Sequence, residues 1–154
     1  MSTPTPKTTV KLRARAHAPS HSRADIQLRD LTFAIDEPAE RGGTNAGPTP
    51  TETALAALIG CTNVIGHKCA DVLGIDIGHL DISAVCDFDR RGVTLKDNID
   101  VPFQKIILSV EADGPATQSE LDQLSEEVAK YCPLSKLFRQ AGTLVEETWK
   151  PKSV

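Results

Sequence analysis

A chain of 154 residues suits one domain and can bury most of its apolar surface without disulfide staples. Its net charge of −4, with one Trp, one Tyr and four Phe, argues against nucleic-acid or anionic-membrane partners, which require a basic surface. The opening MSTPTPKTTV has no apolar core of signal-peptide length, and the longest apolar stretch, around residues 54–60, falls far short of the ~20 residues that span a bilayer, so a cytoplasmic protein is expected.

Residues 1–7 are rich in Ser, Thr and Pro and read as a disordered start to a single domain over residues 8–150. From 8 to 17, Val10, Leu12, Ala14 and Ala16 alternate with Lys11, Arg13, Arg15 and His17, the period of a half-buried strand. Ala24–Leu28 and Leu31–Ile35 read as two further strands around Arg29-Asp30, making an antiparallel meander. Residues 36–50, DEPAERGGTNAGPTP, form a loop of Gly, Pro and polar residues. It ends at a helix start, where Thr49 or Thr51 can cap, Pro50 suits the first turn and Glu52 complements the dipole. The helix runs from 51 to 73 and stops at Gly74. Its Ala, Leu and Ile content on most faces predicts a buried central helix.

Strands follow at 79–88 and at Phe103–Ala112, separated by an exposed loop that includes DRRGVTLKDN. Gly114-Pro115 breaks the second of them. An amphipathic helix over 117–131 places Leu121, Leu124, Val128 and Ala129 on one face. Cys132-Pro133 opens another helical piece through Arg139, Gly142 ends it, and 143–149 reads as the last strand. The order βββ-α-ββ-α-α-β indicates an α+β fold with antiparallel pairing.

Four cysteines carry whatever chemistry the chain has: Cys61, Cys69, Cys86 and Cys132. No CxxC pair and no zinc-finger spacing occurs. In the cytoplasm such thiols stay reduced unless they are catalytic or redox-sensing. Pro133 puts Cys132 at a helix cap, where free N–H groups favour thiolate, with Lys136 and Arg139 within two turns. Cys61 lies mid-helix on a small apolar face with Ala54, Ala57, Leu58, Ile65 and Val72, and on that context alone reads as core. Glu52 stands nine residues before Cys61, ~180° around the helix and ~13 Å along it, so the two meet only across a subunit interface or through an irregular helix start. His67 and Cys69 sit ~200° apart and are poorly placed to share a metal ion. Cys86 reads as core. Thr62 is expected to bond back to the carbonyl four residues earlier. Arg23, Arg29 and Arg41 read as surface residues, one of which can instead hold a cysteine as thiolate. No GxGxxG, P-loop, GxSxG or HExxH occurs, and no cofactor or metal is expected.

The stretch GPTPTETALAALIGC, residues 47–61, and the later YCPLSK, residues 131–136, together resemble the superfamily of osmotically inducible protein C (OsmC) and organic hydroperoxide resistance protein (Ohr), in its OsmC-like branch. The resemblance covers roughly residues 30–150. It implies an α+β fold with antiparallel sheets around a long central helix, and an intertwined homodimer. It also implies reduction of organic hydroperoxides through a Cys61/Cys132 dithiol–disulfide cycle, regenerated by a dithiol such as a lipoyl group. Carried over, Cys61 attacks the peroxide and Cys132 resolves, whereas local context alone favours Cys132 as the more acidic thiol. The Glu of the Ohr branch stands ten residues before the first Cys. Here that position is Thr51, with Glu52 next to it. The family's arginine is matched in position best by Arg23 and next by Arg29. The alternative is a non-enzymatic OsmC-like dimer that senses redox state or binds an apolar ligand.

Overall fold

The computed structural model describes all 154 residues, grouped by their contacts into two units, Met1–Thr53 and Ala54–Val154.

The first unit holds the meander: β1 (Arg15–His17), β2 (Ala24–Leu28) and β3 (Leu31–Ile35), paired antiparallel in that order. Leu28 pairs with Leu31, so the β2–β3 turn has two residues, and Arg29 takes the left-handed φ of 56° that such tight hairpins use. β1 is shorter than the alternation over 8–17 predicts. Its register sets Arg15 opposite Gln27, so Arg13 and earlier residues run past the end of β2 and have no strand to pair with.

The loop after β3 contains a short 3-10 turn at Ala39–Arg41 and is organised by one buried carboxylate. Asp36 accepts from the N–H groups of Glu37 (2.8 Å), Thr44 (3.1 Å) and Ala46 (3.1 Å) and from the Thr44 hydroxyl. These donors, the Thr44 hydroxyl first, hold Asp36 far below the usual carboxylate range although burial opposes them. Gly47 must be glycine, because a Cβ there would stand 2.0 Å from the Ala34 carbonyl oxygen.

That loop delivers the chain to α1 (Pro50–Leu73). Its start is a capping box: Glu52 N–H donates to Thr49 Oγ1 (3.2 Å) and Thr49 N–H to Glu52 Oε2 (2.8 Å). Its end is a Schellman turn, with Ile75 N–H on the Ala70 carbonyl, Gly74 N–H on the Asp71 carbonyl and Gly74 at φ 69°. The helix buries one line, Leu58, Thr62, Gly66, Cys69 and Ala70. It is not buried on most faces: Val64 is 51% and Val72 87% exposed, and Ala57 and Gly60 also face outward.

The second unit adds β4 (Leu80–Phe88), β5 (Phe103–Ala112), α2 (Gln118–Tyr131), α3 (Pro133–Gln140) and β6 (Leu144–Pro151). β4 and β5 pair antiparallel, as expected. β5 and β6 pair parallel, which departs from the expected antiparallel rule. The two helices between them carry the chain back across the sheet, so β6 enters in the direction of β5. Ile106, Leu108, Val110 and Ala112 of β5 pack with Leu121, Leu124 and Val128 of α2, the face that helical spacing predicts. Trp149 of β6 lies on Gly66 of α1, where a Cβ would come within 2.7 Å of the indole Cη2. The architecture is α+β, and no helix is long and apolar enough to cross a membrane.

Candidate functional site

Cys132 sits where two helices meet. A proline disfavours helical geometry in the residue before it and suits the first position of a helix. Pro133 therefore leaves Cys132 extended, at φ −69° and ψ 110°, closing α2 and opening α3. Its N–H ends α2 on the Val128 carbonyl (2.8 Å), and its sulfur caps α3 by accepting from Ser135 N–H (3.5 Å). The residue is fully buried.

Cys61 approaches from α1. It is half-buried, and its thiol stands near enough to Cys132 to raise the pKa of that thiol. Both thiols are free. Thr62 beside it does what its position predicts, donating its hydroxyl to the Leu58 carbonyl (2.8 Å) inside the core. Two thiols 71 residues apart in sequence are thus neighbours.

The helix start alone suggests a Cys132 of low pKa, and the structure reverses that. Burial pushes the thiol up from 9.0 to about 11. The Ser135 N–H opposes this, the neighbouring Cys61 adds to it through its hydrogen bond and its charge, and the Leu134 N–H opposes it again. Desolvation outweighs the helix terminus because the sulfur has no access to water.

The other candidates are held locally. Glu52 belongs to the α1 capping box, its carboxylate engaged by Thr49 N–H. Arg23 donates from Nε to Asp25 Oδ1 at 2.8 Å. Arg29 is exposed at the hairpin turn, 3.8 Å from Asp30. Arg41 pairs with Glu37 at 2.7 Å. His67 is exposed while Cys69 is buried, so the two do not converge. Cys86 is half-buried on β4, its pKa raised by burial and then by Asp87.

Around Cys132, sequence reasoning passed over Ser135 and Glu147, and read Arg139 only as a source of positive potential. Ser135 is buried, and Arg139 donates from Nε to its Oγ at 3.1 Å. Glu147 on β6 accepts from the Trp149 indole at 2.8 Å. Burial raises the Glu147 pKa, which the indole N–H and the Arg139 charge draw back down. Helical spacing from Cys132 was a signal for Ser135 and Arg139. Glu147 had none.

Residues 43–148, more than half of the chain, match the family model of OsmC-like proteins. No curated protein matches the sequence. Among solved structures, an OsmC-like protein from Mycoplasma pneumoniae superposes with a TM-score of 0.74 at 18% identity, covering 92% of this chain and 98% of that one. The organic hydroperoxide resistance protein OsmC of Legionella pneumophila gives 0.68 at 18% identity, covering 96% and 100%. The organic hydroperoxide resistance protein OhrB of Bacillus subtilis gives 0.63 at 20% identity, covering 93% and 98%. At these identities the likeness is one of fold.

Proposed function

The chain belongs to the OsmC-like protein family, and on that premise we propose that it reduces organic hydroperoxides through a Cys61/Cys132 dithiol–disulfide cycle. One observation carries the reading: a half-exposed thiol and a fully buried one, far apart in sequence, stand within reach of each other. The half-exposed Cys61 is the one a substrate reaches. Its thiolate attacks the terminal peroxide oxygen, the O–O bond breaks, the alkoxide leaves as the alcohol after taking a proton, and Cys61 becomes a sulfenic acid. The Cys132 thiolate then attacks the Cys61 sulfur, forming the disulfide and releasing water. An external dithiol, of the dihydrolipoyl class, restores both thiols by exchange. The sum is hydroperoxide plus dithiol giving alcohol, water and disulfide. The names of the Legionella and Bacillus proteins of like fold support hydroperoxide as the substrate class.

The proposed working form is a homodimer. The small and apolar outward face of α1, with Ala57, Gly60, Val64 and Val72, supports a second copy as its cover. Glu52 and an arginine of the first unit, Arg23 before Arg29, remain the proposed supporting groups.

The test is consumption of cumene hydroperoxide with dihydrolipoamide as reductant. Wild type should turn over, Cys61→Ser should not consume peroxide, and Cys132→Ser should stall after forming the sulfenic acid. Fully reduced wild type that leaves the hydroperoxide intact would refute the reading. A second reading, binding of an apolar ligand without turnover, is favoured by a 330 Å³ cleft lined by Ile65, Cys69, Val72, Leu73 and Tyr131 together with Lys68 and Glu127. Retention of a fatty acid by a protein that consumes no peroxide would select it.

A further inference from the structure

The polar chain beyond Cys132 is larger than a helix cap needs. Ser135 and Arg139 follow Cys132 by three and seven residues, which places all three within ~60° of arc on α3. Ser135 is buried and gives its N–H to the Cys132 sulfur (3.5 Å), while its hydroxyl accepts from Arg139 Nε (3.1 Å). Glu147, on the strand packed against α3, feels the positive charge of Arg139 and is itself oriented by the Trp149 indole (2.8 Å). Arg139 is therefore flanked by a hydroxyl on its own helix and a carboxylate on β6. Arg139 and its neighbour Lys136 are both exposed, but only Arg139 hydrogen-bonds Ser135.

We infer that Arg139 is a positioning residue for the resolving thiol: by holding the Ser135 hydroxyl it fixes the helix turn whose N–H groups meet the Cys132 sulfur, and so sets how readily Cys132 attacks as a thiolate. The inference rests on the dithiol reading above. Among the charged or titratable groups on the elements around Cys132 are Cys61 on α1, Arg139 and Lys136 on α3, and Glu147 on β6, with Glu127 and Lys130 of α2 paired to each other at 2.7 Å. Of these, Arg139 is the one tied by a hydrogen bond to a group that itself bonds the sulfur.

The test needs no peroxide. In a Cys69→Ala/Cys86→Ala background, the Cys61 thiolate displaces one nitrothiobenzoate from Ellman's disulfide. The Cys132 thiolate then displaces the second from Cys61 as the protein disulfide closes, so the two releases appear as successive absorbance phases. Near pH 7.5, Arg139→Gln should slow the second phase relative to the first by about fivefold, the thiolate lost to an upward shift of ~0.7 unit. The deficit should still be about fourfold at pH ~10.5 and narrow to about twofold by pH ~11.5, because the ratio of thiolate falls only once the pH passes the wild-type value of about 11. Arg139→Lys should recover part of the rate, and Ser135→Ala should show the same pH signature as Arg139→Gln. A deficit equal at every pH, a Lys variant as slow as Gln, or a wild type with no second phase would overturn the inference. The same protein given cumene hydroperoxide separates the two readings: a normal second phase without peroxide consumption sinks the peroxidase reading and leaves the role of Arg139 standing.

Discussion

The thiol pair makes a quantitative prediction about itself. Cys132 is pushed up to about 11 by burial first, and Cys61 contributes to the same direction through its hydrogen bond and its charge. With a pKa near 11, about one Cys132 in a thousand is thiolate at pH 8, and each unit removed from the pKa multiplies that fraction about tenfold. Cys61→Ala deletes both contributions of Cys61 and leaves the burial, so Cys132 should titrate below about 11 in that variant. Oxidation of Cys61 likewise replaces the thiol that raises Cys132, so the resolving thiol should become more available after the peroxide has been consumed than before. Stability reports the same shift. Between the usual 9.0 and about 11 the folded protein keeps a proton that the unfolded chain releases. Folding stability should therefore fall across that window by about 2–3 kcal/mol, two units at ~1.4 each, and Cys132→Ala should lack that loss. The assay is thiolate absorbance at ~240 nm against pH, with Cys132→Ala as blank, alongside urea midpoints at the two ends of the window. A Cys132 that titrates at or below 9.0 in wild type, or no lower in Cys61→Ala than in wild type, would refute the reasoning.

Gly66→Ala drives a Cβ to 2.7 Å from the Trp149 ring and should cost about 1–3 kcal/mol in urea unfolding; an unchanged midpoint would contradict that packing. Asp36→Asn should weaken the protein at neutral pH and flatten its acid response. The native carboxyl is held below 3.8, so its stabilisation is present above that value and is lost as pH falls through the lower folded value; a variant with the wild-type melting profile from pH 7 to pH 3 would dispose of the loop-clamp account. Val64→Glu on the outward face of α1 should halve the mass measured by light scattering after size exclusion. A wild type that runs as a monomer would remove the second-copy proposal.

Much of the fold was legible because its boundaries are set by local chemistry. Gln118 begins α2 behind a Thr117–Glu120 capping box, Gly74 ends α1 with a positive φ, and Pro133 breaks the helix at Cys132. Each is a property of three or four adjacent residues. What was lost depends on partners. The alternation from Val10 to His17 is real, but a strand needs a neighbour, and in this register Arg13 and the residues before it run past the end of β2. The parallel pairing of β5 with β6 was implied by two helices in succession between them, a spacing that antiparallel neighbours do not need. The outward face of α1 carries the same small apolar residues as its inward face, so composition could not separate the two.

The site shows the same division more sharply. Helix start and charge nearby both argued that Cys132 is acidic; the N–H groups of the helix start do lower its pKa, whereas Lys136 and Arg139 are not among the groups that act on it directly. The helix start loses to burial, which no local pattern around residue 132 records. The reversal changes what each thiol is suited to do. A fully buried thiol of raised pKa is a poor first nucleophile for a substrate arriving from solvent, yet shielding from peroxide also keeps it reduced until its neighbour is oxidised. A half-exposed Cys61 beside it has access that Cys132 lacks. In the proposed cycle the order of attack then follows from burial alone, and what remains for Ser135, Leu134 and Arg139 is to make a buried sulfur ionise at the moment the sulfenic acid appears.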